Sequence, residues 1–188
     1  MVEGTTGYEV LESTRPFSGL VASVRVDTVT MPGGHSALRE VVEHMGGVGV
    51  VAVDEEDRVC LIRQYRHPLG ERIWEVPAGL RDVEGEAPES TAARELAEEA
   101  ALAADSLAPL VTLATSPGFS TEVVHVFLAT GLSPQPPEER EDEEAEIEVS
   151  WVPLEDAVKR VLSGEIINAI AVAGLLAASR MIHGRRER

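Results

Sequence analysis

Apolar and polar positions alternate in part along Val21 to Met31, at Val24, Val26, Thr28 and Thr30, and Pro32-Gly33-Gly34 closes the run with a turn signal. A second run spans Leu38 to His44, so residues 8 to 45 predict strands and turns of a small antiparallel sheet. That sheet is too slight to stand alone. After Gly46-Gly47, Val48 to Val53 is a nearly continuous apolar strand, Asp54 to Asp57 predicts a hairpin turn, and Arg58 to Tyr65 returns. Trp74 to Pro77 is a short extended stretch, and Pro88 to Ala104 has helix composition with its proline near the start. Leu110 to Thr115 and Val123 to Thr130 read as strands separated by Ser116-Pro117-Gly118-Phe119-Ser120. Leu132 to Glu148 is proline-rich and then acidic, which predicts an exposed loop before a last strand, Val149 to Val152. Leu154 to Leu162 and Ile166 to Ile182 are helical, the second apolar almost all round as in a packed helix. Strands outnumber helices and helices follow strand pairs, the pattern of an α/β sandwich with a mixed sheet. The expected division is an N-terminal β-strand element, 1–45, and a main α/β domain, 46–188.

Charge narrows the partners. The formal net charge is −17, from 33 acidic and 16 basic residues, so a nucleic-acid backbone is repelled and divalent cations are favoured. One basic cluster, Arg63-Gln64-Tyr65-Arg66-His67, is large enough for a small phosphate compound and too small for a duplex. No apolar run reaches the roughly 18 residues that span a bilayer, and Met1 to Tyr8 lacks the features of a secretory signal. The single cysteine, Cys60, lies in the apolar run Val59 to Ile62 and reads as core packing in a reducing cytoplasm.

The chemistry concentrates on the helix predicted from Pro88. Glu95, Glu98 and Glu99 lie three and four residues apart, so their carboxylates crowd one sector. Like charges so placed destabilise a helix by a few tenths of a kcal/mol per pair, and a hard divalent cation offsets that repulsion. Arg94 supplies a local countercharge that holds a carboxylate in place. A merely solvated acidic face is the common alternative. Against it stands the upstream order: a strand ending at Gly79, a glycine-bearing loop to Gly85, then Glu86 eight residues before Arg94. Such a strand, loop and acid-lined helix make a cradle for phosphate and metal.

Gly79, Glu86, Arg94-Glu95-Leu96, Glu98-Glu99 and Leu102 together resemble the Nudix box. Two departures are visible: the gap from Gly79 to Glu86 is one residue longer than usual, and Ala101 stands at the family's second glycine. Neither removes a carboxylate. Arg63 to Pro68, Trp74-Glu75-Val76-Pro77-Ala78-Gly79 and Ser116-Pro117-Gly118 are similar to the ADP-ribose pyrophosphatase subgroup, with Pro117 at its marker proline. The likeness covers essentially the whole chain and implies a Nudix-type α/β/α sandwich preceded by the small N-terminal antiparallel element.

The resemblance also implies roles. Glu95 and Glu99 would be the principal Mg²⁺ ligands, with Glu98 contributing and the carbonyl of Ala78 completing one site. Glu86 would bind a further ion or orient Arg94, and Mn²⁺ is the alternative metal. Arg39 and Arg66 would contact substrate, although ordinary surface ion pairs also explain arginines in so acidic a chain. Glu122, beyond the Pro117-Gly118 turn, would meet ribose hydroxyls. The run Glu138 to Glu148, with eight acids and one arginine, would supply the general base, Glu143 or Glu144 ahead of Glu146. The implied reaction is Mg²⁺-dependent hydrolysis of ADP-ribose to AMP and ribose 5-phosphate. Another nucleoside diphosphate sugar, a dinucleotide, or a non-catalytic ligand sensor are the alternatives. A cytoplasmic homodimer is expected, its N-terminal strands packed on the partner and Arg39 shared between active sites, with neither nucleic acid nor membrane as partner.

Overall fold

In the computed structural model, which describes residues 7–136 and 146–186, the chain forms two compact units. One comprises the chain through Gly46 together with Ala114–Val123, and the other comprises Gly47–Leu113 and Val124–Arg188. The first is built on three antiparallel strands, β1 (Val10–Ser18), β2 (Ala22–Thr30) and β3 (Ser36–His44), in that spatial order. Gly33 and Gly34 have φ of 99° and 83°, the left-handed values that a side chain resists, and so allow the tight return from β2 to β3. On β2 and β3 a charged network crosses the sheet. Arg25 donates to Asp27 at 2.8 Å and to Glu43 at 2.6 Å, and Arg15 also reaches Glu43. Residues 116–121 join this unit through β3, where Val42 N–H donates to Phe119 O at 2.7 Å and Thr121 N–H to Val42 O at 3.0 Å.

The second unit holds β4 (Gly47–Ala52), β5 (Arg58–Arg66), β6 (Glu71–Glu75), β7 (Ala78–Leu80), α1 (Pro88–Ala100), β8 (Leu102–Ala114), β9 (Val123–Pro134), β10 (Glu148–Pro153), α2 (Leu154–Leu162) and α3 (Ala169–Arg186). A mixed sheet has the order β7-β4-β9-β8, with β4 antiparallel to β7 and parallel to β9. An antiparallel sheet has the order β10-β5-β6. Every residue of β4 is buried, because both of its faces are covered. Val48, Val50 and Ala52 pack with Ala92 and Leu96 of α1. Val51 packs the other way, with Leu154 and Ala157 of α2 and with Ala171, Leu175 and Ala178 of α3. Small residues let α3 lie close: a Cβ on Gly49 would stand 2.4 Å from Ile170 Cγ2, and one on Gly174 2.8 Å from Val51 Cγ2. Helices on both faces of the sheet make this an α/β/α sandwich.

Three expectations change. The turn at Asp54–Asp57 closes, with Asp54 N–H donating to Arg58 O at 3.0 Å and a Val53–Val59 bridge, but the strands it joins do not pair further, since β4 and β5 lie in different sheets. Both edges of β4 are already taken, by β7 and β9, so β5 finds its partners elsewhere. The helix from Pro88 ends at Ala100 rather than Ala104 because Ala101 turns left-handed, φ 53° and ψ 44°, and donates its N–H to Ala97 O. Strand β8 therefore begins at Leu102, eight residues earlier than the pattern suggested.

Candidate active site

The carboxylates of α1 are seated by the strand that faces them. Ala78 and Gly79 of β7 pair with Gly49 and Val48 of β4, which fixes the strand above the helix. Ala78 N–H donates to Glu99 Oε2 at 2.7 Å. A Cβ on Gly79 would lie 2.0 Å from the Glu95 carboxyl carbon, so only glycine leaves room for that carboxylate. Glu95 and Glu99 are accordingly 7% and 4% exposed, while Glu98 is half-buried.

Arg94 ties four acids together. Its Nη1 donates to Glu95 at 2.8 Å and to Glu98 at 3.0 Å, and its Nη2 lies 3.3 Å from Asp82 and 3.6 Å from Glu86. Burial works against the charged guanidinium, but the surrounding carboxylates prevail and hold its pKa above the usual arginine value. Glu86 is further fixed by Thr91, whose hydroxyl donates to it at 2.8 Å.

A second buried group stands on the adjoining sheet. Arg66, at the end of β5, grips Glu75 of β6 with two donors, Nε at 2.8 Å and Nη2 at 2.6 Å. Gln64 Nε2 lies 3.5 Å from both Glu75 and Glu99. At the rim, Arg72 binds the carbonyl of Glu146 at 3.1 Å, and also the carboxylates of Glu146 and Glu148. These residues surround a cleft of about 1090 Å³, lined by Gln64, Tyr65, Arg66, Arg72, Ala78, Gly79, Leu80, Asp82, Arg94, Glu95, Glu98, Glu99 and Glu146.

The electrostatics are those of carboxylates crowded out of water. Burial pushes the Glu99 carboxyl up to about 8, with Glu95 and Glu75 adding to the rise and Ala78 N–H and Arg66 opposing it. Burial, with the charge of Glu99, also raises the Cys60 thiol to about 12, so this cysteine is inert packing. Among the described residues the lining offers carboxylates, guanidinium groups and the Tyr65 phenol, with no imidazole or thiol. That donor set fits a hard divalent cation, whose charge would offset the burial, and the lesser carboxylate repulsion, that raise Glu99. As they stand, no three acidic, histidine or cysteine side chains among the described residues meet closely enough to hold an ion, and Arg94 Nη1 donates to both Glu95 and Glu98.

The family model of the NUDIX domain matches residues 43–170, more than half of the chain. The chain belongs to the Nudix hydrolase family. Over 177 residues it is 48% identical to the ADP-ribose pyrophosphatase of Mycobacterium tuberculosis (strain ATCC 25618 / H37Rv), a match covering 94% of this chain and 86% of that one. It is 44% identical over 153 residues to the ADP-ribose pyrophosphatase of Bacillus subtilis (strain 168), covering 81% of this chain and 82% of the relative. A crystal structure of an ADP compounds hydrolase superposes with a TM-score of 0.84 across 97% of this chain and 98% of that one; at 21% identity it shows a shared fold. No helix among the described residues is long and apolar enough to cross a membrane.

Of the residues singled out from the sequence, Arg66, Ala78, Arg94, Glu95, Glu98 and Glu99 line this Nudix cleft, and Glu86 stands behind Arg94. Arg39, Pro117, Gly118 and Glu122 belong to the N-terminal unit. There Arg39 is exposed on β3 and donates to Leu38 O at 2.8 Å. Glu122 accepts from Thr115 and lies 3.4 Å from His44 Nδ1. The Pro117-Gly118 turn is closed by Ser120 N–H donating to Ser116 O at 2.8 Å. Glu143 and Glu144 lie outside the described residues. The sequence motifs include Gln64 and Glu75 without a role for either, and Arg72 lies outside them. The signal for Glu75 was an acid set between apolar Trp74 and Val76 in a strand, where a charge needs a buried partner.

Proposed function

We propose that this chain hydrolyses the diphosphate of ADP-ribose to AMP and ribose 5-phosphate. The observation that carries this reading is the seat made by Ala78 and Gly79, which packs the carboxylates of Glu95 and Glu99 into a cleft also lined by Arg66. The names of the two relatives support the same substrate. Glu95 and Glu99 serve as the principal metal ligands, Glu98 contributes a third carboxylate, and the Ala78 carbonyl completes one site. Glu86 either binds a further ion or orients Arg94, which in turn holds Glu95 and Glu98. When bound, Mg²⁺ or Mn²⁺ neutralises the diphosphate and lowers the pKa of the attacking water.

Arg66 and Arg39 present guanidinium forks to the diphosphate or to the adenine edge, a geometry an ammonium lacks. Glu122 accepts from ribose hydroxyls and the Pro117-Gly118 turn shapes the loop that bears it. Glu143 or Glu144 takes the proton of the attacking water.

In the same reading, residues 1–45 form a dimerisation element and 46–188 the hydrolase domain of a cytoplasmic homodimer. Val10, Leu11, Phe17 and Leu38 are all more than half exposed, an apolar surface that a second copy covers. Arg39 then serves the partner's active site. Light scattering at micromolar concentration is expected to give twice the chain mass, and a monomer refutes this part.

The substrate is tested by assaying ADP-ribose beside other nucleoside diphosphate sugars and a dinucleotide. ADP-ribose is expected to have the highest kcat/KM. A preference for another member of the panel displaces it, and binding of ADP-ribose without turnover turns the reading to a sensor.

A further inference from the structure

Glu75 is the most enclosed acid among the described residues of the second unit, 1% exposed, yet neither the metal chemistry nor the substrate contacts proposed above use it. It ends β6, opposite Ile62 of β5, and Gln64 and Arg66 follow Ile62 at alternate positions. Strand alternation therefore sets Ile62, Gln64 and Arg66 on one face with Glu75. From there the two Glu75 oxygens receive separate donors, Arg66 Nε at 2.8 Å and Nη2 at 2.6 Å, which locks the plane of the guanidinium. Gln64 Nε2 lies 3.5 Å from Glu75 Oε2, the oxygen that also accepts from Arg66 Nη2, and stands as near to Glu99 Oε1. Both of those carboxylates accept when ionised, so Gln64 turns its NH₂ toward them. An ion pair with one member buried adds little net stability, since desolvation of that carboxylate offsets the attraction. What Glu75 does supply is a fixed direction for its charged partner, Arg66, which lines the cleft beside Gln64.

We infer that Glu75 is a positioning residue for substrate binding: it aims Arg66 at the diphosphate and contacts no reacting atom. This rests on the reading of Arg66 as a substrate residue.

The test is steady-state kinetics on ADP-ribose with wild type, E75Q, R66A and the double variant, beside calorimetric binding of ADP-ribose to each protein in EDTA. E75Q keeps the shape of the side chain and loses the charge that holds both nitrogens. Its KM is expected to rise about tenfold, with kcat falling less than about threefold, and its metal-free affinity to fall in parallel. Once Arg66 is removed, E75Q is expected to change neither KM nor affinity further, because Glu75 acts through Arg66. E75D retains the charge one methylene short of a two-point grip and gives the same split if E75Q folds poorly. Wild-type KM and affinity in E75Q and E75D, or equal added losses with and without Arg66, would overturn the inference. Absence of turnover by wild type, with ADP-ribose still bound, refutes the hydrolase reading instead and leaves the binding cycle to decide the role of Glu75.

Discussion

Gly79→Ala separates seating of the Glu95 carboxylate, a proposed metal ligand, from stability of the fold. The backbone at Gly79 is not left-handed, so alanine meets a problem of space alone. Its Cβ would stand 2.0 Å from the Glu95 carboxyl carbon and 2.2 Å from both oxygens. Ordinary contact begins at 3.4 Å, so the carboxylate must retreat by about 1.4 Å. The group that gives way is the end of a flexible side chain, and the β4–β7 pairing can remain. The stability cost is then near the lower end of the overpacking range, about 1 kcal/mol, or a Tm lower by roughly 2–4 °C in a chain of this length. Function is less tolerant, because a displacement of about 1 Å at a reacting centre costs about 10²-fold in rate. Calorimetry, Mn²⁺ titration and ADP-ribose kinetics on the variant are expected to give a near-native Tm, weakened metal binding and kcat/KM lower by about 10²-fold. A folded variant with native rate and metal affinity refutes the seat. A Tm lower by well over 10 °C shows that the strand yielded rather than Glu95.

Ala101→Gly should stabilise the protein: it removes a left-handed alanine, a strain of about 1–2 kcal/mol, against a loss of about 0.4–1 kcal/mol from added freedom in the unfolded chain. A Tm higher by roughly 1–4 °C is expected, and a lower one contradicts the strain. In EDTA, a Glu99 carboxyl raised to about 8 binds a proton in the folded state that the unfolded state loses above about 4.3. Its contribution to stability is therefore complete below that lower value, falls as pH rises toward 8, and is gone above it. Melting of wild type against Glu99→Gln from pH 5 to 8 should show the variant gaining relative stability with pH, and parallel curves contradict this. Cys60, buried with its thiol raised to about 12, should resist iodoacetamide at pH 8 until the protein unfolds. Prompt labelling of the folded protein contradicts its place in the core.

Local patterns were legible in the chain. The helix Leu154–Leu162 and the start of α1 at Pro88 follow from periodicity and proline placement, and Glu95, Glu98 and Glu99, three and four apart on α1, face one cleft while Glu86 stands outside its lining. What escaped was set by distant partners. Nothing local in Val48–Val53 says that its edges will pair with β7 and β9 rather than with the strand next in sequence. Ala101 carries no glycine signal, yet takes the glycine conformation because β8 must leave the helix at once. Glu75 stood in the Trp74–Gly79 motif with no role until the fold set it against Arg66.

The central claim is metal-dependent hydrolysis of ADP-ribose by the α1 carboxylates. Its most direct test is AMP release from ADP-ribose by wild type with Mg²⁺, by wild type in EDTA, and by Glu99→Gln. AMP and ribose 5-phosphate in equal amounts are predicted for the first. The second and third should be slower by several orders of magnitude, on the order of 10³-fold or more. No AMP from folded wild type with Mg²⁺, or a near-normal rate in folded Glu99→Gln, contradicts the account.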